Sequence, residues 1–230
     1  MINTRSILLG LFWLGFAGYA FFLAPPQQPD TFDLILQLST GDWAEINPLI
    51  AALFNIMGVL PLMYGAMLFL DGRGQRLPAW IFSTGSFFLG AFALLPYLSL
   101  RQENKQFVGK KNWWLRWQDS RILGGITLIA VTGLLVYGLG QGDWADYLAR
   151  FRGDRFIHVM SLDFCALLLL FPTLLGDDLA RRGLGEKKWL FWAIALTPPI
   201  GTALYLTLRP PTIEVETEAA EQSADALVEA

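Results

Sequence analysis

Asn47-Pro48-Leu49-Ile50-Ala51-Ala52-Leu53-Phe54-Asn55-Ile56-Met57-Gly58-Val59-Leu60-Pro61-Leu62-Met63-Tyr64-Gly65-Ala66-Met67-Leu68-Phe69-Leu70 runs without one charged side chain. A helix rises about 1.5 Å per residue, and about 20 apolar residues cross the roughly 30 Å of bilayer hydrocarbon. This stretch is long enough to do so. Its start carries the expected signals, an N-capping asparagine and a proline at the first helical position.

Five more runs of the same kind flank it: Ser6–Ala24, Ala79–Leu98, Ile122–Leu139, Phe156–Leu175 and Trp189–Leu208. The first is longer than a signal-peptide core and runs straight into Pro25-Pro26, so a retained anchor is expected. The composition agrees, with 54% hydrophobic and 16% charged residues, where soluble domains carry about 25% charged. The sequence therefore predicts an all-α polytopic membrane protein of about six transmembrane helices. It forms one bundle over 1–211, followed by an acidic disordered tail over 212–230. The tail reading rests on its small residues and its glutamates and aspartate, from Glu214 to Glu229.

Several chemistries are excluded. A net charge of −3, with basic residues only in short loops, is no nucleic-acid footprint. One cysteine, Cys165, forms no intramolecular disulfide, and one histidine, His158, rules out multi-histidine metal and haem sites. Lys110, Lys111, Trp113, Trp114 and Trp117 mix cations with amphipathic rings and are expected to anchor the chain at the lipid headgroups. Asp143–Phe151 reads as a surface-lying amphipathic helix, with Asp146 and Arg150 paired four residues apart. Thr31–Leu38 is a weaker version of it.

The halves, about 1–101 and 122–209, resemble each other. Gly41-Asp42-Trp43-Ala44-Glu45 returns as Gly142-Asp143-Trp144-Ala145-Asp146, and Tyr97-Leu98-Ser99-Leu100-Arg101 as Tyr205-Leu206-Thr207-Leu208-Arg209. Asn55 corresponds to Asp163, and Asp71 to Asp178. Three spans per half would turn the second half upside down, a 3+3 inverted repeat like that of secondary transporters. Such an inversion would also dilute the positive-inside signal, which six spans leave weak. The loops Ser99–Arg121 and Gly176–Lys188 hold the larger basic share and are expected on the cytoplasmic or stromal side.

Asp163 is the most informative position, a carboxylate about 10 Å inside a span. There it must be paired, protonated or facing a polar cavity. Its counterpart Asn55 is also deep, so both are candidate ligand-binding residues. His158, on the same span, is with Asp163 a candidate catalytic and ligand-binding residue that could relay protons or ligate a chlorophyll magnesium, although five residues turn it about 140° away from Asp163. Asp177 and Asp178 are weak candidate metal ligands, and self-pairing with Arg181 and Arg182 is the competing account. Pro198-Pro199 interrupts the last span and leaves backbone carbonyls without donors.

The whole chain resembles uncharacterised membrane proteins of cyanobacteria and plastids. The stretches that carry the likeness are Asn47-Pro48, Phe54-Asn55-Ile56-Met57-Gly58, Ala93-Leu94-Leu95-Pro96-Tyr97 and Phe156-Ile157-His158 through Ser161-Leu162-Asp163-Phe164. The hairpin Phe156–Arg209 is similar to the plastid membrane protein family implicated in neoxanthin synthesis. His158, Asp163, Asp178 and Pro199-Ile200-Gly201 match that family's motif, which puts Pro199 and Gly201 among the candidate ligand-binding residues. The Asp163–Asp178 stretch is longer here by more than one helical turn. The resemblance implies a thylakoid or plasma membrane, with carotenoid or chlorophyll as ligand and photosynthetic membrane complexes as partners. The expected role is non-catalytic pigment or lipid binding, or complex assembly. The alternatives are a carotenoid-modifying enzyme or its partner, and a small secondary transporter.

Overall fold

The computed structural model describes residues 3–215. Four helices are long and apolar enough to cross a membrane. They are α1 (Thr4–Phe22), α3 (Pro48–Asp71), α7 (Arg121–Gln141) and a fourth made of α9 (Arg155–Leu170) running into α10 (Pro172–Ala180). Each starts where the sequence supplies a cap. Asn3, Asn47, Ser120 and Asp154 accept backbone N–H bonds from Ser6, Leu49, Leu123 and Phe156. Pro172 breaks the α9–α10 ladder, and the Tyr64 hydroxyl donates to the Leu167 carbonyl one turn earlier, at 2.5 Å.

Two surface helices lie at one end, α2 (Thr31–Thr40) and α8 (Trp144–Gly153). Arg150 pairs with Asp146 on α8 at 3.1 Å, as the spacing predicts. The repeated Gly-Asp-Trp does not occupy equivalent places, since Gly41 follows α2 whereas Gly142 precedes α8.

The third and sixth predicted spans are corrected. Ala79–Leu98 becomes α4 (Ala79–Leu89) and α5 (Ala91–Leu100), parted at Gly90. A straight helix of that length would separate its ends by roughly 30 Å. Here the ends meet. Gln75 Oε1 accepts from the Gln102 N–H at 2.8 Å, Gly72 abuts Ala79, and Arg101 pairs with Asp71. Near the tip Gly85 faces Ala93. The pair is a hairpin that enters the bundle and returns. Gly90 makes the reversal with φ 52° and ψ −127°, which a side chain would resist.

Trp189–Leu208 behaves likewise as α11 (Lys188–Ala195) and α12 (Ile200–Leu208), with Thr197-Pro198-Pro199 between them. Gly185, three residues before α11, packs on Ala180, while Arg182 donates to the Pro210 carbonyl at 2.5 Å. Both feet therefore stand at the end of the bundle where α10 finishes. α12 lies along α7, with Gly124 against the Leu206–Thr207 backbone.

These directions also correct the inversion. Each half runs long helix, surface helix, long helix, returning hairpin, and the two long helices restore the starting end. Both halves start and finish at the same end, so they run parallel rather than upside down.

Two-stranded pairing closes that end. β1 (Phe107–Val108) lies parallel to β2 (Glu214–Val215), and α6 (Trp113–Gln118) precedes α7. The start of the expected tail is thus packed. Thr212 donates its N–H and its hydroxyl to Asp119 at 3.0 and 3.2 Å. Residues 216–230, the rest of that expectation, lie outside the described residues. Trp113, Trp114 and Trp117 are exposed. Lys111 is not an anchor, because its ammonium is buried against Asp119 at 2.8 Å. Cys165 is exposed.

Candidate functional site

Two features draw attention: a buried charge cluster at the end where the hairpins stand, and a deep groove on the opposite half of the bundle.

The cluster is built twice from the same parts. Tyr97 donates to Asp71 at 2.7 Å and Arg101 pairs with the same carboxylate. Tyr205 donates to Asp178 at 2.7 Å and Arg209 pairs with that carboxylate at 3.2 Å. Arg181 links the two, 3.3 Å from Asp71 and 3.5 Å from Asp178. Arg101 also reaches Asp177, and Arg182 reaches Asp178 and Asp119. Burial opposes the charge of Arg101, but Asp71 and Asp177 outweigh it and hold the guanidinium above its ordinary value. Burial likewise opposes Asp119, and Arg182, Lys111 and the Thr212 N–H outweigh that and lower it. Charges buried so far from water persist only when paired. Asp177 and Asp178 are therefore committed to arginines and are not free to hold a cation, and among the described residues no group of three acidic, histidine or cysteine side chains is placed to bind a metal.

The groove is a cavity of about 850 Å³. Trp13, Phe54, Met57, Phe88, Phe156 and Met160 supply much of its wall, with Gly58 leaving room and Arg155 and Gln27 at the rim. It lies between α1, α2, α3, α9 and the α4–α5 tip. Trp13 fixes α1 to the tip by donating to the Phe92 carbonyl at 3.0 Å, and Phe16 stacks on Phe92.

Asp163 lies in the wall of this groove, 4% exposed. Its Oδ1 accepts the Ala91 N–H at 2.8 Å, the first free donor of α5. A carboxylate at a helix N-terminus is favoured by the orphan N–H groups and by the helix dipole. Oδ2 lies over the Cα of Gly90, where a Cβ would collide with it.

The remaining candidates separate from Asp163. His158 Nδ1 is 2.7 Å from the Phe151 carbonyl and Nε2 is 2.8 Å from the Tyr19 hydroxyl. A carbonyl only accepts, so Nδ1 carries the proton and Nε2 accepts from Tyr19. Neither nitrogen is left to ligate magnesium or to meet a substrate at Asp163. Asn55 donates back to the Ala51 carbonyl of its own helix at 2.8 Å and does not line the groove. Pro199 and Gly201 sit at the second tip, away from the groove. Residues the sequence did not single out, Ala91 and the tip aromatics Phe87 and Phe88, are the ones that shape the site. Gly90 inside an apolar run was the available signal.

Comparison with known proteins adds no relative: no family model, curated protein or solved structure matches the chain.

Proposed function

We propose that the chain is an integral membrane protein that crosses the bilayer four times, carries two re-entrant helical hairpins, and binds a long apolar molecule in the Asp163 groove without transforming it. The charge distribution supports this topology. Of the 17 basic residues only Arg150, Arg152 and Arg155 belong to the far end, where α2 and α8 lie. With six crossings the same residues divide almost evenly. Four crossings restore a strong positive-inside bias and put the hairpin feet, both termini of the bundle and the charge cluster on the cytoplasmic or stromal side. Irregular backbone at membrane depth, such as the two tips, is tolerated where protein or a cavity covers it. The matching Asp-Tyr-Arg sets support an internal duplication whose halves are related by an axis along the membrane normal.

The observation that carries the binding role is the groove itself. Its volume falls within the roughly 300–1,000 Å³ of small-molecule sites, and it is mostly apolar with few polar groups. A carotenoid or another lipid of a photosynthetic membrane, the ligand class the family resemblance implies, fits that lining. Catalysis is disfavoured because His158 has no free nitrogen and does not face Asp163. A transporter is disfavoured because the α5 N-terminus, where an anionic substrate would dock, is occupied by the protein's own carboxylate.

The experiment is extraction of the purified protein, followed by absorbance and mass spectrometry of what is released. Gly58→Trp should displace the ligand, because a Cβ at Gly58 meets no atom within 4 Å and the ring can enter the groove that Gly58 lines. Wild-type protein that carries no apolar molecule and takes none up would refute the role.

A further inference from the structure

We infer that the groove selects an apolar molecule bearing a hydroxyl group at its inner end, with Asp163 Oδ2 as the acceptor. This rests on the binding role just proposed and specifies its ligand.

Asp163 is more than nine-tenths buried, and a carboxylate can accept about four hydrogen bonds. Among the described residues it receives one, from the Ala91 N–H to Oδ1. Oδ2 accepts none, and the side chain lines the groove close to the tip. No arginine or lysine is within 4 Å of it, in contrast to the carboxylates of the charge cluster. None of the donor-bearing side chains in the lining bonds Asp163: Trp13 donates to the Phe92 carbonyl, Thr31 to the Gln28 carbonyl and Arg155 to the Pro25 carbonyl, and Gln27 stands at the rim. Ser86 spends its hydroxyl proton on the Ser83 carbonyl at 2.7 Å, and Phe88, Phe92, Met57 and Met160 have none on their side chains. Oδ2 is open to the groove, and an apolar body that fills the groove without a donor would leave it unsatisfied, so whatever binds there gains by bringing one.

The other half of the chain marks this as specific to one side. At the corresponding position Asn55 satisfies its amide on its own helix. If a carboxylate were required merely to hold a hairpin tip, the α11–α12 tip would need one too. It stands without one, its Thr197 hydroxyl bonded to Ala193. Asp163 also lies beyond the reach of the rim. Eight residues separate it from Arg155, about 12 Å along α9, so a hydroxyl presented there must be carried inward on an apolar body.

The test uses two probes of nearly equal size, all-trans-retinol and its methyl ether, titrated into the full-length protein in detergent. Energy transfer from tryptophan reports binding, and Trp13→Phe identifies the part that arises in the groove. Retinol should bind at least about tenfold more tightly than the ether, since the ether leaves the Asp163 oxygen without a donor. Asp163→Leu should lower retinol to the level of the ether while ether binding persists. The comparison of probes is made on the wild-type protein, so it stands even if that variant does not fold. Equal binding of the two probes would overturn the hydroxyl specificity and leave the groove as a general apolar site. Binding of neither would overturn both.

Discussion

Replacing Gly90 by alanine probes the α4–α5 tip and its carboxylate together. Gly90 holds φ 52° and ψ −127°, a conformation that costs an L-residue about 1–3 kcal/mol. The added methyl would also overlap Asp163 Oδ2, so the carboxylate must leave and its 2.8 Å bond from the Ala91 N–H is lost. A hydrogen bond of this kind contributes about 0.5–1.5 kcal/mol. The two costs are distinct and together reach roughly 1.5–4.5 kcal/mol, a sizeable part of the usual folding margin. For a chain of this size that is a fall in Tm on the order of 10 °C, read by thermal unfolding of the purified protein. A double-mutant cycle separates the parts. In an Asp163→Ala background there is no carboxylate to displace, and Gly90→Ala should then cost only the backbone strain, about 1–3 kcal/mol. Equal costs in both backgrounds, or a single-mutant cost under about 1 kcal/mol, would show that the tip is not held as described.

Asp178→Asn should cost about 3–5 kcal/mol, measured by unfolding, because Arg182 and Arg209 are left buried with too little negative charge. Asp119 is held below its ordinary value of 3.8, so its stabilisation is complete above that pH and is lost as pH falls through the lower folded value; limited proteolysis should show the 212–215 segment released only in that acid range. Truncation after Pro211 removes the Thr212 bonds and β2 and should lower Tm, whereas truncation after Val215 keeps them, so equal Tm for the two would refute the strap. In a Cys165→Ala protein, cysteines placed at Gln75 and at Gln102 should react with an impermeant thiol reagent from the same side of sealed vesicles; labelling from opposite sides would restore a crossing between them.

The four long helices were legible because hydropathy and capping residues speak for themselves. The hairpins were not, since twenty apolar residues look alike whether they cross or double back. Two signals did mark the difference. Gly90 and Pro198-Pro199 lie in the middle of their runs, and assigning Arg101 and Arg209 to the end that holds Asp71 and Asp178 would have repaired the poor charge bias. The parallel order follows from the same correction, because inversion was deduced from an odd span count. Asp163 was recognised by its depth alone. Its partner was hidden, for the Ala91 N–H becomes a free donor only once the helix has been cut at Gly90. Pairing Asp71 with Tyr97 and Arg101, and Asp178 with Tyr205 and Arg209, was foreshadowed by the shared tyrosine-to-arginine spacing.

The way Arg181 is held fixes an order of assembly. Asp71 meets Tyr97 and Arg101 within the first 101 residues, so the N-terminal half can neutralise its own buried charge as it leaves the ribosome. Arg181 does so only in part, through Asp178 3.5 Å away in its own half. Both of its hydrogen bonds go back to the earlier part of the chain, to Asp71 at 3.3 Å and to the Asn104 carbonyl at 2.6 Å. Arg209 similarly donates to the carbonyls of Ala66 and Gln118. The first half to be synthesised is thus the template against which the second is laid down, in keeping with N-terminal units folding first. A chain with its halves exchanged would hold the same residues but would present Arg181 before Asp71 and the Asn104 carbonyl, its two side-chain hydrogen-bond acceptors, exist.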